Sequence, residues 1–202
     1  MYGGMDRSKD PELKAADDKF VSAVTEHYGS RKKASQVWVE QGFRFYQQDK
    51  LGMAMRRFNQ AWLLDLENPE AFAGFSAVLH DQEKYCDAMR MMEKALALNP
   101  PTFQGIFPDA GRIFTLCAVN DKTLSDEARG DLLARSEALF KKAEEIEPNK
   151  RYVYGIWATA YFWQGKYEDS WAMIAKERAA GGKSSERFLG MLRGKMPEPV
   201  RQ

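Results

Sequence analysis

The chain has 202 residues, 44% apolar, 12% aromatic and 29% charged, with only 2 cysteines, a composition that can bury a core without disulfides or metal. Its 30 Lys plus Arg against 29 Asp plus Glu leave a formal charge of +1, so no net field draws it to nucleic acid or to an anionic membrane. No apolar run approaches the ~18 residues of a membrane span.

In chain order, residues 1–9 read as a flexible lead-in that lacks the apolar stretch of a signal peptide. As written, the chain is soluble and fits the cytoplasm. If a signal or lipid anchor preceded residue 1, the periplasm or envelope would fit instead. Asp10-Pro11 then marks an N-cap and first turn, and Leu13, Phe20, Val21, Val24 and Tyr28 form an apolar face ending at Gly29, which predicts a capping helix over 10–29.

A repeat follows. From Ser35 the chain places Trp38, Gly42, Phe45, Ala54, Phe58 and Ala61. From Pro69, 34 residues on, it places Phe72, Ser76, Leu79, Ala88, Met92 and Ala95 at the same spacings. Large and small residues alternate so that paired helices can approach and interdigitate. Polar breaks fall between the helices at Gln48-Asp49-Lys50, at His80-Asp81-Gln82-Glu83 and at Gln164-Gly165-Lys166.

The third unit departs from the pattern, with Phe107, Gly111 and Phe114 counted from Gln104 but Phe140, Ala143 and Ile146 counted from Cys117, a 13-residue insertion. Ser125 reads as the N-cap of an extended second helix over Asp126–Glu145. The fourth unit has Tyr154, Ala158, Tyr161, Ser170 and Ile174, with Glu177 where a small residue is expected. Gly181-Gly182 end it, and Phe188, Leu189 and Leu192 predict a last helix covering the end of the stack.

This pattern resembles the tetratricopeptide repeat, a 34-residue helix-turn-helix unit. The resemblance implies an all-α solenoid of about four units in a single domain over 10–196: units near 35–68, 69–103, 104–150 and 151–183, caps at 10–29 and 184–196, and a tail at 197–202. The run Arg57-Phe58-Asn59-Gln60-Ala61-Trp62-Leu63-Leu64, followed by Asn68-Pro69-Glu70, further resembles bacterial tetratricopeptide proteins carried as envelope lipoproteins.

Catalytic chemistry is sparse. His27 and His80 belong to no ligand spacing, and no nucleophile elbow appears. Gly182-Lys183-Ser184 mimics the end of a phosphate-binding loop but lacks the required glycine at 177. Glu144-Glu145, Asp17-Asp18 and Arg31-Lys32-Lys33 read as solvated helix surface. Cys86 and Cys117 read as packed thiols, placed at one edge of the stack where an oxidising compartment could bridge them. No metal or cofactor is expected.

The resemblance implies that the first helices line a groove while consensus residues hold the helices together. Its candidate binding residues are Val39, Phe43, Tyr46 and Gln47 in the first unit, Ala77 and His80 in the second, Arg112 in the third, and Tyr152, Thr159, Phe162 and Trp163 in the fourth. The Lys and Asn with which some members clamp a chaperone's C-terminal carboxylate are replaced by Val39 and Phe43. The expected function is therefore a non-catalytic adaptor for a protein or peptide segment. The alternative is a binder of a small apolar ligand, and coverage of the groove aromatics by the terminal helices stands against both.

Overall fold

Asp10 starts the first helix by chemistry legible in the sequence: its carboxylate accepts from the amides of Glu12 and Leu13 at 3.0 and 3.1 Å, satisfying two of the donors that a helix N-terminus leaves open. The computed structural model describes residues 7–101 and 105–199, and among them the chain is helical throughout, with no strand. The first six residues of the lead-in, the junction 102–104 and the last three of the tail lie outside the described residues.

The helices are α1 (Pro11–Tyr28), α2 (Arg31–Gln47), α3 (Leu51–Leu64), α4 (Pro69–Asp81), α5 (Tyr85–Ala97), α6 (Ile106–Asn120), α7 (Asp126–Ile146), α8 (Lys150–Trp163), α9 (Tyr167–Ala179) and α10 (Glu186–Arg193). Antiparallel pairs α2/α3, α4/α5, α6/α7 and α8/α9 are the four expected units. The chain divides into two compact units, Met1–Pro100 and Pro101–Gln202.

In the first unit Phe58 of α3 is the wedge. A Cβ on Gly42 would come within 2.5 Å of its ring and one on Gly74 within 2.3 Å, so only glycine lets α2 and α4 close on it. Phe43 and Phe75 meet the same ring edge-on at 5.0 and 6.4 Å. A buried polar relay locks this packing: Asn68 Nδ2 donates to Ser35 Oγ, which donates to the Ala61 carbonyl, both at 2.8 Å. In the second pair Ser76 donates to the Ala88 carbonyl at 2.8 Å. A Ser at the small position can thus bind a partner helix where Ala could only pack.

The α2→α3 and α4→α5 turns close alike. Asp49 and Glu83 adopt left-handed φ of 57° and 60°, and the amides of Lys50 and Lys84 reach back to the Phe45 and Leu79 carbonyls at 3.0 and 2.9 Å, which is a Schellman closure. α2 begins four residues before the repeat pattern because Ser30 caps it through the Lys33 amide. Arg31 therefore lies in its first turn, exposed but with its guanidinium engaged. Its guanidinium donates to the carbonyls of Leu64 and Leu63 at 2.8 and 2.9 Å, satisfying the C-terminus of α3.

The lead-in expectation also changes at residues 7–9. They form a 3-10 turn pinned by two 2.8 Å bonds from Arg7 to Asp17, so Asp17 is a half-buried, paired carboxylate and not the solvated one expected. α1 buries no residue fully. It sets Phe20 and Tyr28 edge-on against Trp38, each at 5.7 Å.

The second unit repeats the wedge with other residues. A Cβ on Gly111 would approach the Phe140 ring at 2.8 Å, and Trp157 stacks on that ring at 5.2 Å with 6° between planes. Ser136 donates to the Gly111 carbonyl at 2.7 Å and Ser170 to that of Ala158 at 2.8 Å. α7 is the elongated helix expected after the insertion, capped by Ser125 through the Ala128 amide. Arg129 organises the insertion by hydrogen-bonding the Ala118, Asp121 and Leu124 carbonyls.

Glu177 replaces the small residue expected at its position and is only 7% exposed. Gly155 makes room, since a Cβ there would meet its carboxylate at 3.1 Å, and Ser184 hydrogen-bonds it. α10 closes the end with Leu189 and Leu192 buried. Part of the expected tail is docked as well: Glu198 pairs with Arg178 at 2.6 Å and with Arg193 at 3.1 Å. The cysteines differ from the reading as thiols, since both Cys86 and Cys117 are disulfide-bonded and neither is free.

Candidate binding faces

The first unit's face is built by α2 and α4, which Gln36 and Glu70 join through a 3.1 Å hydrogen bond. Of the expected binding residues there, Val39 is 1% exposed and packs with Ala61 and Ala71 in the core, with Phe43 laid against that cluster. Val39 is thus a core residue, because α2 turns its branched side chain toward α3 and α4. Tyr46, Ala77 and His80 are half-buried and Gln47 is exposed. His80 Nδ1 lies 2.9 Å from Asp81, and its ring meets Tyr85 edge-on at 5.8 Å.

The second unit's face is built by α6 and α8. Arg112 donates to Asp109 at 3.3 Å, and the Tyr152 hydroxyl donates to the same carboxylate at 2.7 Å. Thr115, Gln164 and Ser136 continue this polar row through contacts of 3.3 and 2.9 Å. Thr159 Oγ1 donates back to the Gly155 carbonyl at 2.9 Å.

The two aromatic residues at the end of α8 part company. Phe162 is 9% exposed and held edge-on by Phe188 of α10 at 5.6 Å; it is core, covered by the terminal helix. Trp163 is 51% exposed and Tyr152 38%, so coverage by the chain's own end takes Phe162 and leaves these two. On the elongated helix the exposed Arg135 and Lys142 lie over rings of α6, 4.6 Å from the Phe114 ring centre and 4.3 Å from that of Phe107.

Electrostatic shifts concentrate in the second unit. Lys176, bonded at 2.8 Å, holds the Glu144 carboxyl below its usual range. Burial, reinforced by the 2.9 Å bond to Glu137, pushes the Tyr161 phenol well above its own. Tyr161 therefore stays neutral and serves as a donor. Among the described residues no cluster of three or more His, Cys, Asp and Glu could hold a metal ion, and no helix is long and apolar enough to cross a membrane.

No family model and no curated protein matches the sequence. Solved structures do match. A thermophilic TPR protein of Thermus thermophilus is 15% identical over 80% of this chain and 80% of that one, with a TM-score of 0.64. The chain has the tetratricopeptide-repeat fold. A tetratricopeptide repeat protein from Parabacteroides merdae is also matched, 17% identical over 94% of this chain and 80% of that one, but its TM-score of 0.38 carries no argument. In the tetratricopeptide-repeat fold of this chain, the residues that sequence reasoning missed are Asn68 in the Ser35 relay, Arg31 as a helix cap and Glu147 at the start of α6. The bond from Asn68 to a residue 33 positions earlier has no local signal.

Proposed function

We propose that this chain is a non-catalytic adaptor that binds a protein or peptide segment on the first-helix faces of its repeats. The observation that carries the reading is the divided fate of the aromatic residues. Trp163 and Tyr152 stand exposed on α8, while the neighbouring Phe162 is withdrawn into the core. Exposed Trp and Tyr at a rigid helix surface are the side chains from which binding hot spots are built, and the helical-repeat fold supports protein partners. An envelope location rests on the resemblance carried by the Arg57–Leu64 run and the Asn68-Pro69-Glu70 that follows it. Phe58, Ala61 and Leu64 of that run are core, so it serves the fold, and fractionation of cells carrying the full-length gene product decides the compartment.

The test is selection of peptides from a displayed library on the intact chain, followed by affinity measurement. Trp163→Ala should raise Kd roughly thirtyfold, equal to about 2 kcal/mol. Leu66→Ala, which removes an exposed apolar side chain outside these faces, should leave it unchanged. Equal affinity of the Trp163→Ala and wild-type chains overturns the reading. So does a library that yields no binder while a small apolar compound raises the melting temperature.

A further inference from the structure

α6 begins without a side-chain cap of its own, since Gly105 stands at the N-cap position with φ 72°. Glycine is required there twice over: the left-handed backbone favours it, and a Cβ would meet the Tyr152 ring at 2.9 Å. The missing cap comes from far along the chain. Glu147, the residue that ends α7, is 2% exposed, and its carboxylate takes hydrogen bonds from the amides of Gly105 and Phe107. Its Oε1 is buried with no hydrogen-bond partner, an arrangement that is costly for an ionised oxygen.

The groups facing Glu147 are those two amides, the Asp109 carboxylate on α6 and the Lys150 ammonium on α8. Asp109 in turn holds Tyr152 and Arg112, so two carboxylates share one helix start. We propose that Glu147 is a proton-operated latch on the N-terminus of α6. Protonated, it removes one of the two crowded charges and leaves at Oε1 a neutral group, which costs less to bury unpaired than an ionised oxygen. Ionised, it leaves a buried, half-satisfied charge beside Asp109, and the start of α6 loosens.

The direction of the effect is fixed by linkage. Burial pushes the Glu147 carboxyl above its ordinary value of 4.5, against the pull of the two amides. A carboxyl raised in the folded state contributes stability that is present below its unfolded pKa and lost as pH rises through the folded one. Stability from this group therefore falls as pH rises past about 4.5, opposite to the behaviour of Glu144 and Glu198, whose partners lower them.

The experiment compares the intact chain with Glu147→Gln, which keeps an acceptor for the amides and cannot ionise. Hydrogen exchange of peptides covering residues 105–110, corrected for intrinsic rates, is read from about pH 5 to pH 8, together with urea midpoints. Wild-type protection at the start of α6 should fall across that range, while the variant, which cannot ionise, stays level. Asp109→Asn, which retains an acceptor for Tyr152, should narrow the wild-type change and serves as the second variant if Glu147→Gln fails to fold. A difference between wild type and Glu147→Gln that is constant across pH overturns the latch and leaves Glu147 a plain structural cap. An unaltered pH response in Asp109→Asn overturns the role given to the second carboxylate.

Discussion

A Cβ placed on Gly74 would lie 2.3 Å from Cε1 of Phe58, closer than any real Cβ contact, so the ring occupies the volume that an alanine would need. Replacing glycine by alanine inside a helix ordinarily stabilises by about 1 kcal/mol. Here the sign reverses: Gly74→Ala and Gly42→Ala should each destabilise by roughly 1–3 kcal/mol through overpacking. Gly130→Ala on α7, where a Cβ meets nothing within 4 Å, should stabilise by about 0.5–1 kcal/mol. Urea unfolding of the three variants checks the contrast, and destabilisation of all three would remove the wedge as its cause.

Three helix turns share one geometry but not one residue. Asp49, Glu83 and Gly165 have φ of 57°, 60° and 76°, and only the last is glycine. Asp49→Gly and Glu83→Gly should each stabilise by several tenths to about 1 kcal/mol, because the left-handed conformation strains a side chain that bears a Cβ. Gly165→Ala should cost about as much. Melting temperatures of the single variants decide it.

The Asn68–Ser35–Ala61 relay is buried at every step. Ser35→Ala leaves Asn68 Nδ2 without its acceptor and should cost roughly 1–3 kcal/mol. Ser76→Ala removes a hydroxyl that bonds only a helix carbonyl, so its loss should be smaller, about 1 kcal/mol. Equal losses would show that the hydroxyls act singly and that Asn68 finds another partner.

Charge in the first turn of α2 is not interchangeable. Arg31→Ala withdraws the donors from the Leu63 and Leu64 carbonyls and should destabilise by about 1–2 kcal/mol. Lys32→Ala, an exposed side chain, should stay within about 0.5 kcal/mol of wild type. Chemical denaturation compares them directly.

Cys86 and Cys117 are both disulfide-bonded. Alkylation without reductant should label neither cysteine and after reduction both; labelling of both in oxidised protein would exclude disulfide bonding.

What the sequence determined by itself was local and periodic. The 34-residue spacing from Ser35 to Pro69, the Asp10 and Ser125 caps and the insertion before α7 were legible because helix period and capping act within a few residues. Tertiary structure decided everything that depends on which residues meet. Val39 and Trp163 both lie on first helices and both read as binding residues, yet one packs against α3 while the other faces solvent. Phe162 and Trp163 are adjacent in sequence, and α10 covers only the first. The sequence showed no partner for Arg31 or Asp17 because those partners lie 33 and 10 residues away along the chain. Hydrophobic spacing specifies which face of a helix is buried, but not whose carbonyl or amide waits at the end of a long polar side chain; that is fixed only when the helices pack.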